Sequence, residues 1–168
     1  MRKVTYALAA AAVVAGLAGC ASGSSGDSGD SGATEAPSVA AGTVLTTADS
    51  DLGRIVVDKD GMAVYVFGKD TPGSGASACT GDCLAAWPPV HADGDTPKAE
   101  GVTGDLGTIQ GNDGELQVTL DGRPLYLYAG DGSPGDVAGQ GLNDLWWVLA
   151  PSGEEVTQMP TTSSMPGY

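Results

Sequence analysis

Two short stretches of the chain alternate aliphatic and aromatic side chains with the period of a β-strand. In the first, Val64 and Val66 interleave with Tyr65 and Phe67; in the second, Leu125 and Leu127 interleave with Tyr126 and Tyr128. Successive side chains on a strand point to opposite faces, so each run is aliphatic on one side and aromatic on the other. A strand apolar on both faces is covered on both. The pattern predicts central strands of a sandwich or barrel-like domain rather than an open sheet.

Each run sits in a larger unit that occurs twice. Residues 60–70 begin with Asp60-Gly61 and end on Asp70, and sixty-one residues later residues 121–131 begin with Asp121-Gly122 and end on Asp131, with the Tyr in register. Repetition at fixed spacing marks a supersecondary unit that needs its neighbour to bury its apolar surface. In the first copy, residues 54–58 read as a strand, Lys59-Asp60-Gly61 as a turn, and residues 62–67 as the returning strand. In the second, residues 115–120, the two-residue Asp121-Gly122 turn and residues 124–128 repeat the plan, and Asp-Gly suits a turn in which both central positions need φ > 0. Only residues 82–86 suggest a short helical turn. The expectation is an all-β fold of two pseudo-repeat antiparallel hairpin units packed as one domain over residues 43–158, followed by a flexible tail at 159–168.

The polar and apolar pattern upstream is of another kind. Arg2 and Lys3 precede an apolar run from Val4 to Leu17, shorter than the roughly 20 residues a membrane span needs, and the run closes on Leu17-Ala18-Gly19-Cys20. This ending resembles a bacterial lipobox, which makes residues 1–19 a signal peptide. The resemblance implies a diacylglycerol thioether and an N-acyl chain such as palmitate on Cys20, two chains that anchor a protein to the extracytoplasmic face of the cell membrane. Residues 20–42 are Ser, Gly, Ala, Asp and Thr with almost nothing to bury. They read as a disordered tether with a reach of about 25 Å.

Charge narrows the partners. The formal net charge is −14, and all 21 acidic residues lie after Cys20. Such a balance repels nucleic acid and anionic headgroups and favours solubility. The membrane is therefore met through the Cys20 lipid, and other partners would be an envelope protein or glycan.

The chemistry-bearing residues are few. Asp70 and Asp131 lie five residues past their Tyr, which is odd parity, and each precedes Pro and Gly within a few positions. They read as turn-structural residues of the Asx type. Calcium is a weaker reading of the acidic loops, since Asp58, Asp60, Asp93, Asp95, Asp131 and Asp136 lack the spacing of a calcium loop. Cys79 and Cys83 are the only thiols besides Cys20 and should be oxidised to each other outside the cytoplasm. The rival reading is a copper or thiol-based redox protein using Cys79 and Cys83 with His91, because thiolate and imidazole suit a soft metal. Candidate binding residues are Trp87, His91, Tyr65, Tyr126, Trp146 and Trp147. His91 is the single histidine, with no nucleophile at a recognised spacing, so no catalytic residue, metal or cofactor is assigned and the protein is expected not to be an enzyme.

Taken together, Cys79-Thr80-Gly81-Asp82-Cys83 ahead of Trp87-Pro88-Pro89, the two Tyr-x4-Asp units, Gly139-Gln140-Gly141 and Trp146-Trp147 resemble the secreted-repeat bacterial lipoproteins of unknown function. The likeness spans nearly all of residues 52–153. It implies a lipobox, a spacer and two repeats, and brings no established activity. The second copy departs from the first around residues 140–144, where no cysteine pair occurs. The resulting expectation is a non-enzymatic cell-envelope lipoprotein, structural or binding.

Overall fold

The computed structural model describes residues 42–160. The expected signal peptide, nearly all of the tether with Cys20, and residues 161–168 of the tail lie outside the described residues. The strands are β1 (Thr43–Ser50), β2 (Gly53–Asp58), β3 (Tyr65–Phe67), β4 (Lys98–Ala99), β5 (Leu106–Gln110), β6 (Leu116–Leu120), β7 (Arg123–Pro124) and β8 (Trp146–Val148). A five-residue helix, α1 (Asp82–Ala86), stands where the short helical turn is expected, and a single 3₁₀ turn covers Leu142–Asp144. The described part of the chain is thus all-β in character. Its strands fall into three small sheets, ordered β2-β1-β4, β3-β8 and β5-β6-β7.

The expected hairpins form, but they are shorter than the sequence suggests. Strand β2 pairs along its whole length with β1, Leu45 facing Asp58 and Ser50 facing Gly53, while its pairing with the returning strand is confined to the Val57–Ala63 bridge, flanked by Asp58 N–H bonding the Met62 carbonyl at 2.9 Å and Val64 N–H bonding the Val56 carbonyl at 3.2 Å. The second hairpin is likewise brief, β6 pairing with β7 through Thr119–Pro124 and Leu120–Arg123. In both copies the returning strand leaves its hairpin to pair elsewhere. Strand β3 joins β8 of the second copy, Tyr65 facing Val148 and Phe67 facing Trp146. The Asp-Gly turn of the second copy has φ of 51° at Asp121 and 74° at Gly122, the left-handed pair that the dipeptide is suited to supply.

Where the two returning strands meet, they meet at their tyrosines. Tyr65 N–H donates to the Tyr126 carbonyl at 2.8 Å, and Tyr126 N–H donates back to the Tyr65 carbonyl at 3.0 Å. This reciprocal pair is the hydrogen-bonded unit of an antiparallel ladder. It relates the two copies by an approximate dyad. The alternation read from the sequence then sorts the core into two clusters on either side. Leu45, Val56, Val64, Val66, Val90, Val118, Leu120, Leu125 and Leu149 pack on the aliphatic side, and Ile55, Val57, Tyr65, Phe67, Trp87, Tyr126 and Trp146 on the aromatic side.

Candidate functional site

The aromatic side of the dyad gathers most of the predicted site residues. Strand β3 ends at Phe67, and Asp70 N–H bonds back to the Phe67 carbonyl at 2.9 Å; in the second copy Asp131 N–H bonds the Tyr128 carbonyl at 3.1 Å. These turns swing each Asp off the path of its own strand and toward the other copy. The Tyr65 hydroxyl donates to Asp131 Oδ2 at 2.8 Å, and the Tyr126 hydroxyl donates to Asp70 Oδ2 at 2.7 Å. Each Tyr-x4-Asp unit therefore completes its neighbour.

The second carboxylate oxygen closes a loop. Asp70 Oδ1 accepts the Ala78 N–H at 2.7 Å, and Asp131 Oδ1 accepts the Ala138 N–H at 2.8 Å. An Asx turn would bond the amide two residues on, so the expected turn type is corrected: these carboxylates span eight and seven residues. Burial pushes both carboxyls above their ordinary value, while the bonds from Tyr and backbone N–H oppose that shift. Burial also drives the Tyr65 and Tyr126 hydroxyls far upward, so both stay protonated donors.

The exchange extends to the turns. Gly73 N–H of the first loop bonds the Gly122 carbonyl at 2.8 Å. A Cβ on Gly122 would lie 2.7 Å from the Gly73 nitrogen, so the close approach itself excludes a side chain there. On the other side of the dyad, Pro134 of the second loop covers Gly61 at 3.2 Å from the equivalent Cβ position.

Four of the six candidate binding residues are buried among these contacts. Tyr65 and Tyr126 are 0 % exposed, and Trp87 and Trp146 retain 6 % and 3 %. The strand face shared by the two copies is their common core, and these four side chains expose little surface. Trp147 points the other way, half-buried against the aliphatic cluster. His91 stands apart and exposed, its Nε2 2.7 Å from Asp113 Oδ2 and its Nδ1 3.6 Å from Glu115 Oε2. A groove of about 310 Å³ beside it is lined by Asp58, Lys59, Val90 and Asp93, and one of about 380 Å³ by Thr47, Val57, Gly61 and Pro134.

Cys79 and Cys83 form a disulfide across the start of α1, their Cα atoms 5.4 Å apart. In that state neither sulfur is a thiolate, so soft-metal ligation would require reduction first. Among the described residues no group of three or more His, Cys, Asp or Glu side chains is placed to hold a metal ion. Several acids named as calcium donors are engaged with backbone instead. Asp58 Oδ1 accepts from Asp60 and Met62, and Asp136 Oδ2 from Gly132 and Ser133.

Sequence reasoning missed the residues that tie these loops to the rest. Ser77 Oγ lies 2.7 Å from the Tyr126 hydroxyl, and the Asn112 amide donates to the Ser77 and Cys79 carbonyls at 2.9 and 2.8 Å. Gln140 is buried, accepts the Val148 N–H at 2.9 Å and donates to the Val156 and Gln158 carbonyls. Only the Gly139-Gln140-Gly141 run hinted at it.

The profile of a protein family described as "Secreted repeat of unknown function" matches residues 46–91 and 107–150. No curated protein and no solved structure matches the chain. The two matched segments are the two copies seen in the fold. No helix among the described residues is long and apolar enough to cross a membrane.

Proposed function

The chain belongs to the family of secreted repeats of unknown function, and from that premise we propose that it is a non-enzymatic module of the cell envelope, structural or binding, held on the extracytoplasmic face by a lipid on Cys20. The observation that supports this reading is the reciprocal engagement of the motif residues. Tyr65 with Asp131 and Tyr126 with Asp70 are occupied with each other, the thiols are joined, and His91 is paired with Asp113. The groups with most chemical capacity thereby hold the scaffold. The acidic surface and the grooves beside His91 and Pro134 are open to partners, and they suit an envelope protein or glycan better than nucleic acid or an anionic membrane.

Fractionation of cells carrying Cys20→Ser tests the anchoring half of the proposal. The variant should leave the membrane pellet and appear in the soluble or secreted fraction. Retention of a variant whose signal has been cleaved would overturn it. Binding of the purified domain to isolated envelope glycan, compared with binding to purified envelope proteins, tests the rest; turnover of either would contradict the non-enzymatic reading.

A further inference from the structure

The two indoles of the aromatic cluster lie face to face. The rings of Trp87 and Trp146 have centroids 3.7 Å apart and planes inclined by 2°. Phe67 stacks on Trp146 at 4.2 Å, and Tyr128 lies against Trp87 at 4.4 Å with its plane tilted by 31°, so four rings are in successive contact. Neutral aromatic pairs prefer offset or edge-on contact, because their faces carry like partial charge. A facing pair is favoured instead once an electron has been removed, since the hole is then shared between two overlapping π-systems. Filling a core does not call for this arrangement. The opposite face of the same strands is packed with Val and Leu.

Each indole also carries a tyrosine at its flank. Tyr65 meets Trp87 edge-on at 5.3 Å, and Tyr126 meets Trp146 edge-on at 5.3 Å. Oxidation of a buried phenol requires somewhere for its proton, because a charged radical in an apolar surround is costly. That acceptor is already in place. Asp131 and Asp70 sit at hydrogen-bond distance from the two hydroxyls, and burial makes both carboxylates stronger bases than exposed ones.

We propose that the four-ring stack and the two Tyr–Asp pairs form a one-electron relay, which carries the oxidising equivalent of an oxygen-centred inorganic radical such as the carbonate radical from the surface to Tyr65 and Tyr126. The radical removes one electron from the stack and is reduced to the closed-shell ion, the carbonate radical anion becoming the carbonate dianion. The indole cation is refilled by an electron from Tyr65, whose O–H bond breaks as its proton passes to Asp131. The products are a neutral tyrosyl radical, a neutral carboxylic acid and the restored indole. Tyr126 and Asp70 perform the same exchange beside Trp146. Tyr128, half-buried at one end of the four rings, connects the stack to solvent.

Pulse radiolysis of the full chain with azide radicals, which oxidise indole rapidly, tests this directly. The tryptophanyl absorption should convert to the tyrosyl absorption at a rate independent of protein concentration and slower in deuterium oxide. A Tyr65→Phe/Tyr126→Phe variant that keeps its near-ultraviolet circular dichroism should lose the fast conversion. An Asp70→Asn/Asp131→Asn variant should slow it about a hundredfold, the loss expected when a positioned base is removed. Tyr128→Phe should keep the conversion. The relay is overturned if tryptophanyl radicals decay only bimolecularly in the unaltered chain, if the rate is the same in the Asn variant, or if Tyr128→Phe alone abolishes the conversion.

Discussion

The two copies share a frame and differ in how they tie down the loop between Tyr-x4-Asp and Trp. In the first, the loop from Asp70 to Trp87 is clipped by the Cys79–Cys83 disulfide and steadied by Asn112 from the other copy. In the second, the loop from Asp131 to Trp146 has no covalent link, and Gln140 binds it to β8 and to the chain beyond, at Val156 and Gln158. The frame needs both loops fixed, because each delivers an Asp to the other copy's Tyr. The chemistry of fixing is free to vary. Both loops are met by side chains of the second copy, Asn112 for the first and Gln140 for the second, and only the first adds a local crosslink.

The largest expected effect tests whether the frame is symmetric. Trp87→Ala and Trp146→Ala should each cost about 3–5 kcal/mol, as removal of a buried aromatic does, and by similar amounts in urea unfolding. A much smaller loss for one would show that the dyad is only geometric. Gly139→Ala comes next. Its Cβ would lie 2.7 Å from Trp87 and 2.9 Å from Tyr65, and crowding of that kind costs about 1–3 kcal/mol.

Direct comparison of the two ties follows. Gln140→Ala strands the buried Val148 N–H and should destabilise by about 1–3 kcal/mol, the cost of an unmet buried group. Reduction of the disulfide should cost about 2 kcal/mol, because the loop it closes is short. If only reduction unfolds the protein, the second tie is not equivalent to the first.

Smallest is the pH effect. Asp70 and Asp131 are held above the ordinary carboxyl value of 3.8. A carboxyl raised on folding binds its proton more tightly in the folded state, so its contribution is fully present below 3.8 and is lost as pH rises through the folded value. Relative to an Asp70→Asn/Asp131→Asn variant, the unaltered chain should gain stability as pH falls through that window. Urea midpoints across the acid range would show it; a gain on raising pH would contradict it.

Much of this frame was legible in the sequence. Strand-period alternation placed Tyr65 and Tyr126 on an aromatic face and Val64 and Leu125 on an aliphatic one, because burial on both sides leaves that signature. The Asp-Gly turn at Asp121 and the thiol pair were readable from local chemistry. The swapped partnership was not. It depends on where each returning strand goes after two or three residues, a tertiary choice that local pattern does not encode. Strand β1 escaped notice because its Thr, Ala and Ser residues alternate weakly. The aromatic residues suggested binding because exposure is invisible to spacing. Gln140 carries no pattern of its own, since a buried amide is recognisable only from the groups it meets.

The central claim is that each Tyr is completed by the Asp of the other copy. Double-mutant cycles measure this most directly, pairing Tyr65→Phe with Asp131→Ala across copies and Tyr65→Phe with Asp70→Ala within one. The predicted coupling is about 1 kcal/mol or more for the cross-copy pair, as for residues in contact, and within about 0.5 kcal/mol of zero for the pair in one copy. Coupling confined to Tyr65 and Asp70 would contradict the account.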